Sequence, residues 1–345
     1  MNRLSVCLTA LAFGGLLLPP GTDAQTIDVM GARAAGMAGA FVGVADDASA
    51  TYWNPGGLAS GSYFSLALDA GAERAIPEAG LRGRKQSSFL IGVSMPALAV
   101  TYYRLDRATA RPYDPLTSLN GTSPMTGLTA PLPVRVESLV THHAGITLVQ
   151  SILQNVSVGA TLKVVRGIAA TQAFEFVTAD VALDQEDPRG RASNTFDVDV
   201  GAMATFRSFK AGVTIRNLRE PEFDLPEGDE TLRLDRQARA GVSYTVSPNW
   251  LVAADLDLLE SEDALGDRRD LAFGVEGRLA KRVTARSGLR LNAAGSNGDV
   301  EDGPGPAFAL GGSFAATAAV FVDAAAIVGG DRGGRGWRVA ARFVY

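Results

Sequence analysis

Residues with chemistry in their side chains are few and evenly spread in this 345-residue chain. The only histidines are the neighbours His142 and His143. Both fall in a stretch that reads as β-strand, where adjacent side chains point to opposite faces, so they cannot ligate one metal together. The spacing puts His143 on an inner face and His142 on an outer one. Two carboxylate pairs at i, i+2, Asp197 with Asp199 and Asp255 with Asp257, do share a face. Such pairs could hold a hard cation or split acid and base roles. The simpler reading is ion-pairing with arginines on neighbouring strands. No nucleophile elbow, phosphate-binding loop, zinc-binding helix or paired-cysteine motif is present. No enzyme and no cofactor or metal site is expected.

The elements that carry these residues alternate with period two. From residue 196, Phe196, Val198, Val200, Ala202, Ala204 and Phe206 oppose Asp197, Asp199, Met203 and Thr205. Val283, Ala285, Leu289 and Leu291 oppose Arg282, Thr284, Arg286, Arg290 and Asn292. At the carboxy terminus Trp337, Val339, Ala341, Phe343 and Tyr345 share one face, and Arg338, Ala340 and Arg342 the other. An edge strand of a soluble sandwich would also alternate. It would not need outer faces so free of charge over this many strands.

Candidate strands lie near 62–70, 86–95, 97–105, 135–149, 156–168, 194–206, 209–217, 232–246, 249–259, 269–279, 282–292, 306–315, 317–328 and 336–345. The count is fourteen, and tight turns alternate with longer polar loops between them. Bacterial membrane barrels have even strand numbers, short periplasmic turns and longer external loops. The expected fold is therefore all-β, a 14-stranded antiparallel transmembrane β-barrel over residues 62–345, with residues 25–61 outside the barrel pattern. Its inner face should carry a network of paired charges: Lys163, Asp197, Asp199, Arg216, Arg239, Asp255, Asp257, Glu276, Arg286, Arg290, Asp323, Arg338 and Arg342.

Residues 1–24 read as a secretory signal peptide, with Arg3, an apolar run from Leu4 to Leu18, and a small-x-small site at Thr22-Asp23-Ala24. The single cysteine, Cys7, lies inside that run. A near-balanced formal charge of −5 gives no basic footprint for nucleic acid. The compartment this implies is the outer membrane of a Gram-negative-type bacterium.

Residues 27–61 break the pattern. They are rich in small residues up to Ala45, and Asp46 or Asp47 could cap a short helix from Ala48 to Trp53. Asn54-Pro55 ends that helix, and Gly56-Gly57 turns the chain into the first strand, which in a closed barrel pairs with the last, so the bend is expected at that seam. The run from Gly31 to Ala59 resembles the amino-terminal hatch of the FadL-type outer-membrane transport proteins. It is still more similar to their shorter relatives, the PorV-like secretion shuttles and TraF-like proteins named for conjugal transfer. The shared pattern is Gly-Met-Gly-Gly-Ala-Phe, then Asp-Asp-Ala-Ser-Ala, then Asn-Pro-Ala-Gly-Leu. This chain has Ala38 where glycine is usual and Gly56 where alanine is usual.

The resemblance implies a 14-strand barrel with a small N-terminal hatch or plug, residues 25–61, filling it from the periplasmic side, with Gly36, Asp46, Asp47, Asn54, Pro55 and Gly57 as hatch or gate residues. It implies uptake of a hydrophobic small molecule of long-chain fatty-acid type by a lateral route. The alternative is a PorV-like secretion shuttle or envelope-assembly barrel that docks a secreted protein. Leu116, Leu119, Met125, Leu128 and Leu132, in the loop 106–134, are the candidate substrate-capture surface. Trp337, Phe343 and Tyr345 resemble the terminal signal by which such barrels reach the assembly machinery. Other expected partners are outer-membrane lipid, and the barrel is expected to be a monomer.

Overall fold

Alternating strands of this kind can bury backbone polarity in an apolar surrounding only by closing on themselves. The computed structural model shows that closure. It describes residues 28–76, 82–113, 133–175, 177–185, 190–226, 231–263, 266–294, 305–330 and 334–345. Eighteen strands follow in chain order: β1 Ser65–Ala75, β2 Gly83–Met95, β3 Leu98–Pro112, β4 Val134–Leu153, β5 Val156–Phe174, β6 Arg191–Phe206, β7 Phe209–Arg216, β8 Glu222–Asp224, β9 Thr231–Arg233, β10 Gln237–Ser247, β11 Trp250–Asp257, β12 Ser261–Asp263, β13 Gly266–Arg268, β14 Asp270–Ala280, β15 Val283–Asn292, β16 Ala307–Ala315, β17 Val320–Gly329 and β18 Arg335–Val344. Fourteen of them form one closed antiparallel barrel, and β8–β9 and β12–β13 are small separate hairpins. The seam pairs β1 with β18, from Ser65 opposite Val344 to Arg74 opposite Arg335.

Tight turns link strands at one rim, as between Met95 and Leu98 or Phe206 and Phe209, and β1 begins and β18 ends there. The longer connections lie at the opposite rim, here the loop rim. The strands are longer than their alternation alone marks: β4 has 20 residues and β5 has 19, against 8 in β7 and β11. The wall is thus tall on the β3–β6 side and low elsewhere. Outward positions form an apolar belt that includes Leu68, Ile91, Val100, Ile146, Leu162 and Leu310, all exposed. In a soluble protein such a surface would be an aggregation hazard; around a membrane barrel it meets lipid.

The main apolar core lies inside the barrel, supplied mostly by residues 28–61. Met30, Phe41, Tyr52 and Trp53 are completely buried there. Phe41 and Tyr52 meet Trp53 edge-on, with ring centroids 5.9 and 5.7 Å away, and Tyr52 meets Tyr103 of β3 at 5.5 Å. Each such ring contributes roughly 1.5–3 kcal/mol by burial. This luminal segment holds helix α1 (Ala32–Gly36), helix α2 (Ala50–Trp53) and a 3₁₀ turn, Pro55–Ser60.

Two local expectations need correcting. α2 starts at Ala50, with Ser49 in the cap position and no side-chain cap. Asp47 acts one step earlier, accepting from the backbone N–H and hydroxyl of Ser49 at 3.0 and 2.6 Å. Gly56-Gly57 do not lead directly into a strand, because proline at the first position sets φ for a 3₁₀ turn and β1 begins only at Ser65. Ala38, where related hatches carry glycine, holds a positive φ of 55°, a conformation that glycine adopts without steric cost.

Inward-facing glycines let the segment's backbone rest on the wall. A Cβ on Gly241's neighbour in the segment, Gly43, would lie 2.7 Å from the Val242 carbonyl carbon. A Cβ on Gly274 would lie 2.7 Å from the Cβ of Met37, and one on Gly288 would lie 2.6 Å from the Ala38 nitrogen. Gly288→Leu should therefore unseat the segment at a cost of about 1–3 kcal/mol, the usual range for overpacking. The expected result is rapid tryptic cleavage after Arg33 in the variant with the barrel's β-sheet circular dichroism retained. Equal protection of Arg33 in wild type and variant would contradict it.

Candidate functional site

The luminal face of the wall carries many charges, and most of them meet an opposite charge on another strand. Lys163 Nζ lies 2.7 Å from Asp199 and 3.0 Å from Asp197, and donates to Asn217 at 3.1 Å. Arg216 donates to Gln237 and to the Tyr103 hydroxyl at 3.0 Å each, and its guanidinium lies 3.6 Å from the Tyr52 ring centroid. Arg239 holds Asp257 bidentately at 2.5 and 2.9 Å. Arg290 lies 3.6 Å from Glu73 and 3.8 Å from Asp270. Arg286 and Arg342 converge on Asp323 at 3.3 and 2.6 Å. Arg338 reaches Asp69 at 3.0 Å. Each of the thirteen predicted luminal side chains has an ion-pair or hydrogen-bond partner, and most are buried, with Glu276 and Arg342 part-exposed.

A second set of contacts ties the luminal segment to the wall. Asp69 of β1 accepts from the backbone N–H groups of Gly31 and Ala32 at 3.2 and 2.8 Å, opening α1. Asp255 accepts from Phe41 and Val42 at 2.8 and 2.7 Å, so this carboxylate serves the segment's backbone and not an arginine fork. Arg239 donates to the Gly39 carbonyl at 3.3 Å, and Ser243 to that of Gly43 at 2.7 Å. Arg33 is the segment's own anchor. It reaches Glu276 at 2.8 Å, Asp46 at 2.6 Å and Asp47 at 3.5 Å. Burial alone would lower the Arg33 pKa; Asp46 and Glu276 outweigh it and hold the guanidinium charged well above its ordinary value. Burial pushes the Tyr52 phenol up, with Arg216 opposing.

Asn54 is the most heavily used polar side chain of the bend. Its Nδ2 donates to the Val42 carbonyl at 3.1 Å and to the Ala202 carbonyl of β6 at 3.0 Å. Its Oδ1 accepts from Gly56 N–H at 3.1 Å. Pro55 sits against the inward glycines of β5 and β6: a Cβ on Gly201 would lie 2.8 Å from Pro55 Cδ. The bend therefore rests on β5–β7, remote in strand order from the β1–β18 seam beside which the sequence placed it. A Cβ on Gly57 would collide with the Ala45 carbonyl oxygen, and one on Gly36 would lie 3.1 Å from Gly311 Cα.

Some participants were missed. Asp69 shares the parity of Ser65 and Ala67, so its inward direction was readable. Arg33 stood out as a lone charge in a run of small residues. Capture residues Leu116, Leu119, Met125, Leu128 and Leu132 lie outside the described residues, as does the signal-peptide stretch 1–24. Trp337 and Tyr345 are exposed on the outer face, and Phe343 packs edge-on against Phe64 at 6.0 Å. His143 is buried and stacked on Tyr103 at 4.2 Å, while His142 faces outward and meets the Tyr102 hydroxyl at 2.7 Å. Among the described residues no three His, Cys, Asp or Glu side chains are grouped to hold a metal ion.

Toward the loop rim the hairpin β8–β9 folds inward. The Phe223 ring covers Gly167, and Leu225 and Leu234 pack with it on Leu139, Val165 and Ala169. Helix α3 (Ala179–Asp184) packs elsewhere, on Ala108, Ala110, Val134 and Val136, where the tall strands β3 and β4 present their outward parity. Neither element was foreseen from the sequence.

Asn54→Ala leaves the Val42 and Ala202 carbonyls and the Gly56 N–H without their side-chain partner, at about 1–3 kcal/mol for a buried polar group left unsatisfied. The expected outcome is increased single-channel conductance and sensitivity to large antibiotics. Wild-type values of both would sink it.

Residues 134–257, from β4 through β11, match a family model described as the F plasmid transfer operon TraF protein. Among curated protein sequences, none matches the chain. Solved structures agree over nearly the whole length. The chain is similar to the CymD monoaromatic hydrocarbon channel, at 12% identity and a TM-score of 0.62 over 93% of this chain and 99% of that one. It is similar to a FadL homologue of Pseudomonas aeruginosa, at 13% identity and a TM-score of 0.56 over 94% and 99%. It is also similar to the toluene transporter TodX of Pseudomonas putida, at 11% identity and a TM-score of 0.55 over 93% and 98%. By fold the chain is a FadL-like 14-stranded barrel, and its central third carries a TraF-like sequence.

Proposed function

We propose that the barrel takes up hydrophobic small molecules across the outer membrane, with residues 28–61 as a hatch that must shift during passage. The observation that carries this reading is the filling of the lumen. Toward the loop rim the inward hairpin packs a buried apolar cluster around Phe223 inside the barrel, while buried ion pairs and the seated hatch lie across the straight path beneath it. An apolar solute would lose its favourable surroundings among those charges, so the consistent exit is sideways through the wall. The CymD and TodX channels, named for monoaromatic hydrocarbons and toluene, share this fold and support an apolar substrate class. Gly36, Asp46, Asp47, Asn54, Pro55 and Gly57 are the gate residues of this reading, and the loop holding Leu116, Leu119, Met125, Leu128 and Leu132 is its capture surface. Trp337, Phe343 and Tyr345 form the proposed recognition signal for barrel assembly.

The TraF-like match at 134–257 favours a second reading, an envelope-assembly barrel that docks a protein. Co-purification in mild detergent separates the two: a stoichiometric protein partner fits docking, and its absence with saturable uptake fits transport.

A disulfide tests the hatch directly. A Cβ at position 92 would lie 3.4 Å from the Ala48 Cβ, close to the spacing of natural disulfides, about 3.5–4.5 Å. Oxidised Ala48→Cys/Gly92→Cys should take up radiolabelled toluene and oleate at least tenfold more slowly than wild type, with recovery on reduction. Uptake unaffected by oxidation would show that this part of the hatch need not move.

A further inference from the structure

The outer face of the wall carries a feature that uptake does not use. Arg104 of β3, His142 of β4 and Arg166 of β5 stand abreast in one cross-strand row, since Arg104 pairs with His142 and His142 with Arg166. Adjacent strands are about 4.8 Å apart, so the three side chains span about 10 Å. All three have the outward parity of the belt. The row marks the belt's upper edge: one step toward the turn rim the same strands present Tyr102, Ala144 and Val164.

Arg166 is exposed and has no hydrogen bond or ion pair among the described residues. Arg104 is bonded to Asp106 at 2.7 Å, with its side chain 43% exposed, leaving donors free. His142 meets the Tyr102 hydroxyl through Nδ1 at 2.7 Å. With that hydroxyl donating, Nε2 carries the proton and is a further donor. Charge in the row is therefore net positive, with forked guanidinium donors that suit phosphate oxygens.

Directly below the row lies an apolar groove of about 790 Å³, lined by Ile91, Val100, Tyr102, Ile146, Leu162 and Phe196 around the small Ala144. Ala144 is the notch, since its flanking partners Tyr102 and Val164 are both larger. A hydrocarbon slot ending in a cationic rim is complementary to one kind of molecule, an acyl chain joined to a phosphate. A soluble anion would leave the slot empty, and a neutral lipid would leave the arginines unanswered.

We infer that Arg104, His142 and Arg166, together with the groove around Ala144, form a binding site for a phosphate-bearing acyl lipid of the leaflet on the loop-rim side. The phosphate sits against the row, and an acyl chain lies along the groove. The site is independent of whether the hatch opens.

The test uses the full-length barrel, delipidated in mild detergent and titrated by native mass spectrometry. The probes are phosphatidylglycerol, diacylglycerol and glycerophosphate. Phosphatidylglycerol should bind at least tenfold more tightly than either of the others. Arg166→Glu and Ala144→Trp should each weaken it at least tenfold, from the headgroup and chain ends respectively. Arg282→Glu, an equal charge change at an exposed turn on the opposite rim, should leave it within twofold. Arg166→Gln gives the same reading, reduced in size, should the charge reversal fail to insert. Phosphatidylglycerol binding within twofold of wild type in the Arg166 variants would overturn the site. So would diacylglycerol or glycerophosphate binding as tightly as phosphatidylglycerol.

Discussion

Closure of the sheet is the constraint on which the rest depends, and one carboxylate couples that closure to the lumen's contents. Asp69 lies on β1 at the seam, accepts from Gly31 and Ala32 of the luminal segment, and pairs with Arg338 of β18. Strand pairing at the seam sets the separation of Asp69 and Arg338. Their ion pair then presents the carboxylate to α1. Opening the seam would remove Arg338, and removing the segment would leave the carboxylate's other oxygen without a donor. Neither the wall nor its filling is therefore independent of the other.

The same logic repeats around the ring. Arg33 joins Glu276 to Asp46, Asp255 holds Phe41 and Val42, and Asn54 joins Val42 to Ala202. A buried ion pair stabilises weakly in net terms, because desolvation offsets attraction, but breaking one partner costs about 3–5 kcal/mol. The luminal charges are thus better understood as devices of position than as glue. Apolar rings such as Phe41 and Trp53 supply burial, and charges decide where those rings come to rest. A segment held this way would move as a unit or in a few steps, because each anchor shares a carboxylate or carbonyl with another.

Parity made much of this legible. Alternation in β6 and β15 assigns Asp197, Asp199, Arg286 and Arg290 to the lumen, because side-chain direction in a strand is fixed by geometry alone. What parity cannot supply is the identity of the partner across the lumen. Asp255 resembled an ion-pair member and instead serves two backbone N–H groups, and the Asn54-Pro55 bend rests on β5–β7 and not at the seam. Both depend on how a thirty-residue segment folds back across the interior, which no local pattern encodes. The short strands β8 and β9 and helix α3 were invisible for another reason. Their few residues, including Phe223 and Leu183, are ordered by tertiary contact with Gly167 and Ala110, and not by propensity.

The wall's asymmetry gives these local features a common setting. β3, β4, β5 and β6 run 15, 20, 19 and 16 residues, whereas β16, β17 and β18 run 9, 10 and 10. The tall side needs covering beyond the apolar belt. α3 lies on its outward parity, and Phe223 lies on its inward one. Between cover and belt, the outward face must change from water-facing to lipid-facing within a few residues. Arg104, His142 and Arg166 occupy that step on three successive strands. A strand only as long as β16 has no room for such a step and a cover besides. The extra length of β3–β5 therefore creates the surface on which a lipid headgroup can be met, while the inner face of the same strands carries Lys163 and Tyr103 toward the luminal segment.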